Sequence, residues 1–239
     1  MYSKDSIEKS NRLHSVMLLK TLSSSGKKRL QQLVMNTDED LIGGLLQLMT
    51  EEVCPQSTVS SLEVLMAICY PSRKNRIKAI QAGAIYVLVE SLPGSQRIAC
   101  EKMLCVLDIL CECAEGRATT IDHAMGIASI SKKILRVSQA ATEKAVRILW
   151  SLCKSSPTPG LLKEMVQIGA ICKLCMLLQL ECTSKTKHKA SEILRSQGKY
   201  WRSSPCVPWH LFTMYGQYWS MSDTMYCWLF MPRQFELVI

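Results

Sequence analysis

A chain of 239 residues that is 48% hydrophobic and 21% charged has the composition of a folded protein, with room for one large domain or a repeat array. Its formal net charge of +9 favours acidic partners without naming one. No apolar run approaches the roughly 18 residues of a membrane span, Val16 to Leu19 is too short for a secretory leader, and twelve cysteines without a leader predict reduced thiols in the cytosol or nucleus.

Taken in order, the predicted elements are helices almost throughout. Residues 1–56 carry less regular ones, in SVMLLKTLSSSGKKRLQQLV and DLIGGLLQLM. Residues 57–200 are more regular. LEVLMAIC closes at Cys69 before Pro71. Leu104, Leu107, Leu110 and Cys111 share one face, as do Val146, Leu149, Leu152 and Cys153. Pro93-Gly94, Gly116, and Pro157 with Pro159 fall where such helices are expected to stop. The stretch HKASEIL, 188–194, begins a last helix. From residue 201 the pattern ends, and 201–239 is expected to be a poorly ordered tail. Eleven of the fifteen aromatics lie from Tyr200 onward, with no repeat phase around them.

The spacing says more than the element type. Gly83, Gly126 and Gly169 are 43 residues apart, and Cys69, Cys111 and Cys153 are 42 apart, each cysteine closing an apolar helix. Helices alone, at a period of about 40 to 47 residues, are the signature of armadillo or HEAT repeats. The glycine, which lets a short helix turn sharply into the next, favours the armadillo form. The expected fold is all-α: an armadillo-type right-handed superhelical solenoid of about four to five repeats.

This frame decides how CECAEGRATTIDHAMG, residues 111–126, is read. Cys111, Cys113 and His123 resemble part of a zinc site, but zinc needs four convergent ligands. Cys111 holds the seat of Cys69 and Cys153, and His123 the seat of Ile80 and Val166. The thiols read as small apolar fillers. Cys172 and Cys175, a CxxC inside one helix, read the same way. No metal, cofactor or catalytic residue is expected, because no GxSxG, phosphate loop or HExxH occurs and none of the four histidines adjoins a nucleophile.

The segments CECAEGRATTI, ISKKILRVSQAATEKAVRILWSLCKSSPT, LLKEMVQIGAICKLCMLLQLECTSKTKHKASEILR and YWRSSPCVPWHL resemble the C-terminal armadillo region of plant U-box ubiquitin ligases, most closely the short subgroup with one U-box followed by repeats. The likeness is strongest over 97–210 and looser over 1–96. It implies a part in protein ubiquitination, often in stress and immune signalling, with the repeats choosing the substrate and the U-box docking the conjugating enzyme. No U-box is recognisable in 1–239, where residues 1–30 already read as repeat helices. The chain alone is therefore expected to be inactive as a ligase and to engage a conjugating enzyme only in a form that has a U-box. The alternative is an armadillo scaffold or regulatory protein unrelated to ubiquitin transfer.

The last helix of each armadillo unit lines the concave groove, which places candidate contacts by phase. The first unit offers Ser60, Glu63, Ala67 and Tyr70. The second offers Lys102, Cys105, Ile109 and Glu112, and the third Lys144, Arg147, Ser151 and Lys154. Lys189, Glu192, Ser196 and Lys199 follow. This groove grows more basic towards its C-terminal end, where Lys185 and Lys187 join it, and suits a protein partner with acidic or phosphorylated segments. Its charge opposes the basic peptides gripped by nuclear-import receptors. Nucleic acid is not expected as a partner, for want of aromatic platforms, nor is integral membrane association. Lys27, Lys28, Lys132 and Lys133 read as exposed lysines able to accept ubiquitin.

Overall fold

In the computed structural model, which describes Met35, Thr37 and residues 39–51 and 55–202, every regular element is an α-helix. The first unit contains α1 (Glu39–Thr50) and α2 (Pro55–Cys69). The second has α3 (Arg73–Gln81), α4 (Ala84–Ser91) and α5 (Arg97–Leu110). The third has α6 (Ala114–Asp122), α7 (Gly126–Lys132) and α8 (Gln139–Ser155). The fourth has α9 (Pro159–Gln167), α10 (Ala170–Gln179) and α11 (Ser184–Ser196), followed by the short α12 (Gly198–Arg202). The third helices α2, α5, α8 and α11 pack side by side in that order, and each is backed by the preceding helix of its own unit.

Local chemistry sets the helix starts. Ser72 Oγ accepts the Asn75 N–H, Ser138 Oγ the Ala141 N–H and Thr158 Oγ1 the Leu161 N–H, each satisfying a donor that the first turn leaves unpaired. Pro159 starts α9 rather than ending α8, since the first helical position needs no N–H. Gly116, expected to stop a helix, lies inside α6. A Cβ there would overlap the Leu110 carbonyl, so its absence lets α6 press against the end of α5.

The three glycines at 43-residue spacing serve two different ends. Gly83 and Gly169 hold left-handed backbone, φ 84° and 71°, between the first two helices of their units. Gly126 does not. A Cβ on it would collide with the Thr120 carbonyl, so close approach is the reason for glycine there.

Leu62, Leu65, Leu104, Leu107, Leu149 and Leu152 are fully buried along the stack, each contributing about 1.5–3 kcal/mol by leaving water. Cys69, Cys111 and Cys153 are buried with them. Burial pushes their thiols, and that of Cys175, up to about 12. They are protonated core fillers at neutral pH. Cys113 is also buried. The His123 side chain packs on the Tyr86 ring, accepts the Met125 N–H at Nδ1 and points Nε2 at Glu90, 3.4 Å away.

Side-chain clamps cross the units in register. Arg76 donates to the Cys69 and Tyr70 carbonyls, and Arg117 to those of Cys111 and Glu112, so each ties down the end of the preceding third helix. Both arginines take the fourth position of their helix; in α9 that position is Leu162, and among the described residues α8 has no such clamp. Lysines add further links between units, the last two between second helices or their ends. Lys78 Nζ donates to Thr37 O at 2.7 Å, Lys133 to Pro93 O at 3.2 Å and Lys173 to Ser131 O at 2.8 Å. Lys133 is thus buried and occupied, contrary to its reading as an exposed acceptor, whereas Lys132 is exposed.

Trp201, placed by sequence at the start of the tail, is fully buried in α12, its indole N–H directed at Ile193 O. The helices expected in 1–34, the lysines Lys27 and Lys28, and the aromatic tail from 203 lie outside the described residues. Among the described residues no helix is long and apolar enough to cross a membrane.

Candidate functional site

The third helices leave one polar strip uncovered, and its side chains join across units. Lys102 of α5 meets Glu63 of α2 at 2.8 Å. One unit on, Arg147 of α8 grips Asp108 of α5 with both ends of its fork, Nε to Oδ1 and Nη2 to Oδ2, each 2.9 Å. Lys144 shares that carboxylate at 3.3 Å, and Glu112 lies 3.9 Å from Arg147 and 3.4 Å from Arg76. Ser151 Oγ donates to the Cys111 carbonyl. In the last step, the Trp150 indole N–H donates to Glu192 of α11 at 2.6 Å, with Lys154 at 3.7 Å from the same carboxylate. The ammonium groups of Lys154 and Lys189 both lie 4.5 Å from the centre of the Trp150 ring.

Asp108 is the most buried member of this ladder. Burial raises its carboxyl above the usual range, opposed first by the charge of Arg147 and then by that of Lys144. Burial also raises the thiol of the half-buried Cys105, with Lys144 pulling against it.

Most residues placed by phase do reach this face: Lys102, Cys105, Lys144, Arg147, Ser151, Lys154, Lys189 and Glu192 are half-buried or exposed along the strip. Two do not. Ile109 is 4% exposed, because α5 is covered by α2 and α8 on its sides as well as by α4 from behind, and Ser60 of α2 is fully buried. Lys199 belongs to α12. The strip is also less one-sidedly basic than expected, because Glu63, Asp108, Glu112 and Glu192 answer its cations. Phase reasoning missed Asp108, which stands at a core phase in LCVLDILC. A lone charge inside an apolar helix was the available signal, since a buried charge requires a partner.

Two shallow surface depressions lie away from the ladder. One of about 410 Å³ is lined by Glu39, Arg73, Lys74 and Lys78 among others, and one of about 320 Å³ lies beside Leu135, Leu177 and Leu180.

The chain matches the family model described as the plant U-box protein ARM repeat region over residues 5–217. It is 40% identical over 209 residues to the Arabidopsis thaliana E3 ubiquitin-protein ligase PUB22, covering 86% of this chain and 47% of that protein. It is 38% identical over the same length to E3 ubiquitin-protein ligase PUB23 of that plant, covering 86% and 50%. The chain therefore spans about half the length of these curated relatives. Among solved structures it resembles computationally designed armadillo repeat proteins for modular peptide recognition, with TM-score 0.64, 16% identity, and coverage of 78% of this chain and 79% of that one. A designed armadillo repeat protein in complex with the peptide (KR)4 gives TM-score 0.62 at 16% identity, with the same coverage. Helices, repeat spacing and sequence agree, and the chain belongs to the armadillo-repeat region family of plant U-box proteins.

Proposed function

We propose that the exposed strip of α2, α5, α8 and α11 is the docking face for a protein partner, and that in a chain also bearing a U-box this partner is the substrate to be ubiquitinated. The observation that carries the reading is the ladder itself. Its cations and carboxylates come from different units, Glu63 with Lys102, Asp108 with Lys144 and Arg147, Glu192 with Lys154. Such bonds hold a polar surface in one shape across the stack, which preorganises it for an extended segment. Membership of a family whose matched relatives are named as E3 ligases makes substrate choice the natural use of that shape. The partner class that best fits the spare lysines is a segment carrying acidic or phosphorylated residues.

The test is a fusion of a U-box ahead of residue 1. Reversing Lys144 and Arg147 together to Glu is expected to lower modification of a bound substrate at least about tenfold while self-modification continues. Equal rates on substrate for parent and variant would overturn the reading.

A further inference from the structure

We propose that the α8–α11 end of the strip is an anchor for an anionic peptide segment, with Lys154 and Lys189 as ligands of the anion and the Trp150 ring as the platform for an apolar residue beside it. The inference rests on the docking reading above and assigns it a place and a chemistry.

Charge compensation singles out this end. Towards the N-terminal end, Lys102 has Glu63, and Lys144 and Arg147 share Asp108, with Glu112 close by. An incoming anion there must compete with carboxylates already seated. At the other end, Lys154 and Lys189 face the single carboxylate of Glu192, which already accepts the Trp150 N–H at 2.6 Å. Among the described residues Lys189 has no carboxylate within ion-pairing distance. Its ammonium rests on the indole at 4.5 Å, and exposed Lys185 lies one turn earlier on the same helix.

The resting contacts are the weaker kind. A cation over an aromatic ring at a partly exposed site is held less strongly than a cation hydrogen-bonded to an anion. An arriving carboxylate pair or phosphate therefore draws both ammonium groups off the ring. That movement uncovers the indole, whose orientation stays fixed by its bond to Glu192 from the next unit. A flanking aliphatic or aromatic side chain of the segment then takes the vacated ring face. Anion and apolar residue are thus read together. A basic segment is rejected, because its cations would have to enter beside two lysines.

The experiment uses the full chain and four fluorescein-labelled decapeptides that differ at one place: phosphoserine-leucine, aspartate-aspartate-leucine, serine-leucine and lysine-leucine. The first two are expected to bind and to move the Trp150 indole N–H resonance, assigned by its loss in Trp150→Phe; the last two are not. A preference between the first two tells a phosphorylated from a plain acidic source. Lys154→Glu with Lys189→Glu should weaken binding at least about tenfold, and the milder Lys154→Gln with Lys189→Gln severalfold. Lys132→Glu, on α7 away from the strip, should leave it within about twofold. Unchanged binding by the double variants, or an equal loss with Lys132→Glu, would overturn the anchor. If the indole signal stays still while amides of α2 and α5 shift, the docking reading stands and the anchor falls. If no peptide binds, the anchor falls as well, and the U-box fusion experiment still decides the docking reading on its own.

Discussion

Asp108 shows how one side chain can be held by opposing forces. Burial lifts its carboxyl above the ordinary value of 3.8, although Arg147 and Lys144 pull it back. A carboxyl that holds its proton more tightly in the native state stabilises the fold fully below the unfolded value, and that contribution is lost as pH rises through the native one. In thermal melts from about pH 4 to 7, the Tm of the parent relative to Asp108→Asn is expected to fall as pH rises. A gap that widened with pH would mean that the two cations outweigh desolvation. The glycines allow a second comparison at this scale, by urea unfolding. Gly126→Ala should cost about 1–3 kcal/mol, because a backbone carbonyl must move. Gly83→Ala has open space and only a left-handed φ to bear, about 1 kcal/mol. Gly43→Ala, exposed inside α1 with nothing near it, should stabilise by up to about 1 kcal/mol.

At the scale of the helix, Leu107 and Leu149 are the deepest tests of phase. Each is fully buried between units, so Leu107→Asp or Leu149→Asp buries an unpaired charge and is expected to abolish the cooperative melting transition. A soluble variant with the parent melting curve would mean that these helices are rotated from the positions described. The third helices α2, α5 and α8 were legible in sequence because equivalent cysteines recur at or near their ends, and the short helices because a glycine recurs between them. What sequence could not give was what lies between units. The partners Asp108 and Arg147 are 39 residues apart, and nothing local to either announces the other. Ile109 misled for a related reason: a one-stripe helical pattern fits a helix covered from one side, and α5 is covered from three. Gly116 read as a helix stop because its partner, the Leu110 carbonyl, comes into view only once α5 and α6 are packed.

At the scale of the molecule, a solenoid of this kind supplies a surface, and ubiquitin transfer needs a docked conjugating enzyme besides. Residues 1–239 mixed with activating enzyme, conjugating enzyme, ubiquitin and ATP are expected to build no chains above the ligase-free control. With a U-box fused ahead, self-modification should appear, and mass spectrometry of the product should find ubiquitin on exposed Lys132 and not on Lys133, whose amine is held by the Pro93 carbonyl. Robust chain formation by 1–239 alone would show that its helices dock the conjugating enzyme themselves.

The missing clamp at Leu162 makes the array mechanically uneven. Arg76 and Arg117 stitch the ends of α2 and α5 to the units that follow, while α8 joins the fourth unit without that stitch. Behind it, Lys173 still ties α10 to Ser131. The α8–α9 turn thus has one tie fewer than the α2–α3 and α5–α6 turns, while Trp150 and Glu192 still join α8 to α11 across the strip. Deuterium uptake should accordingly run faster at residues 153–158 than at the clamped turns 69–72 and 111–113.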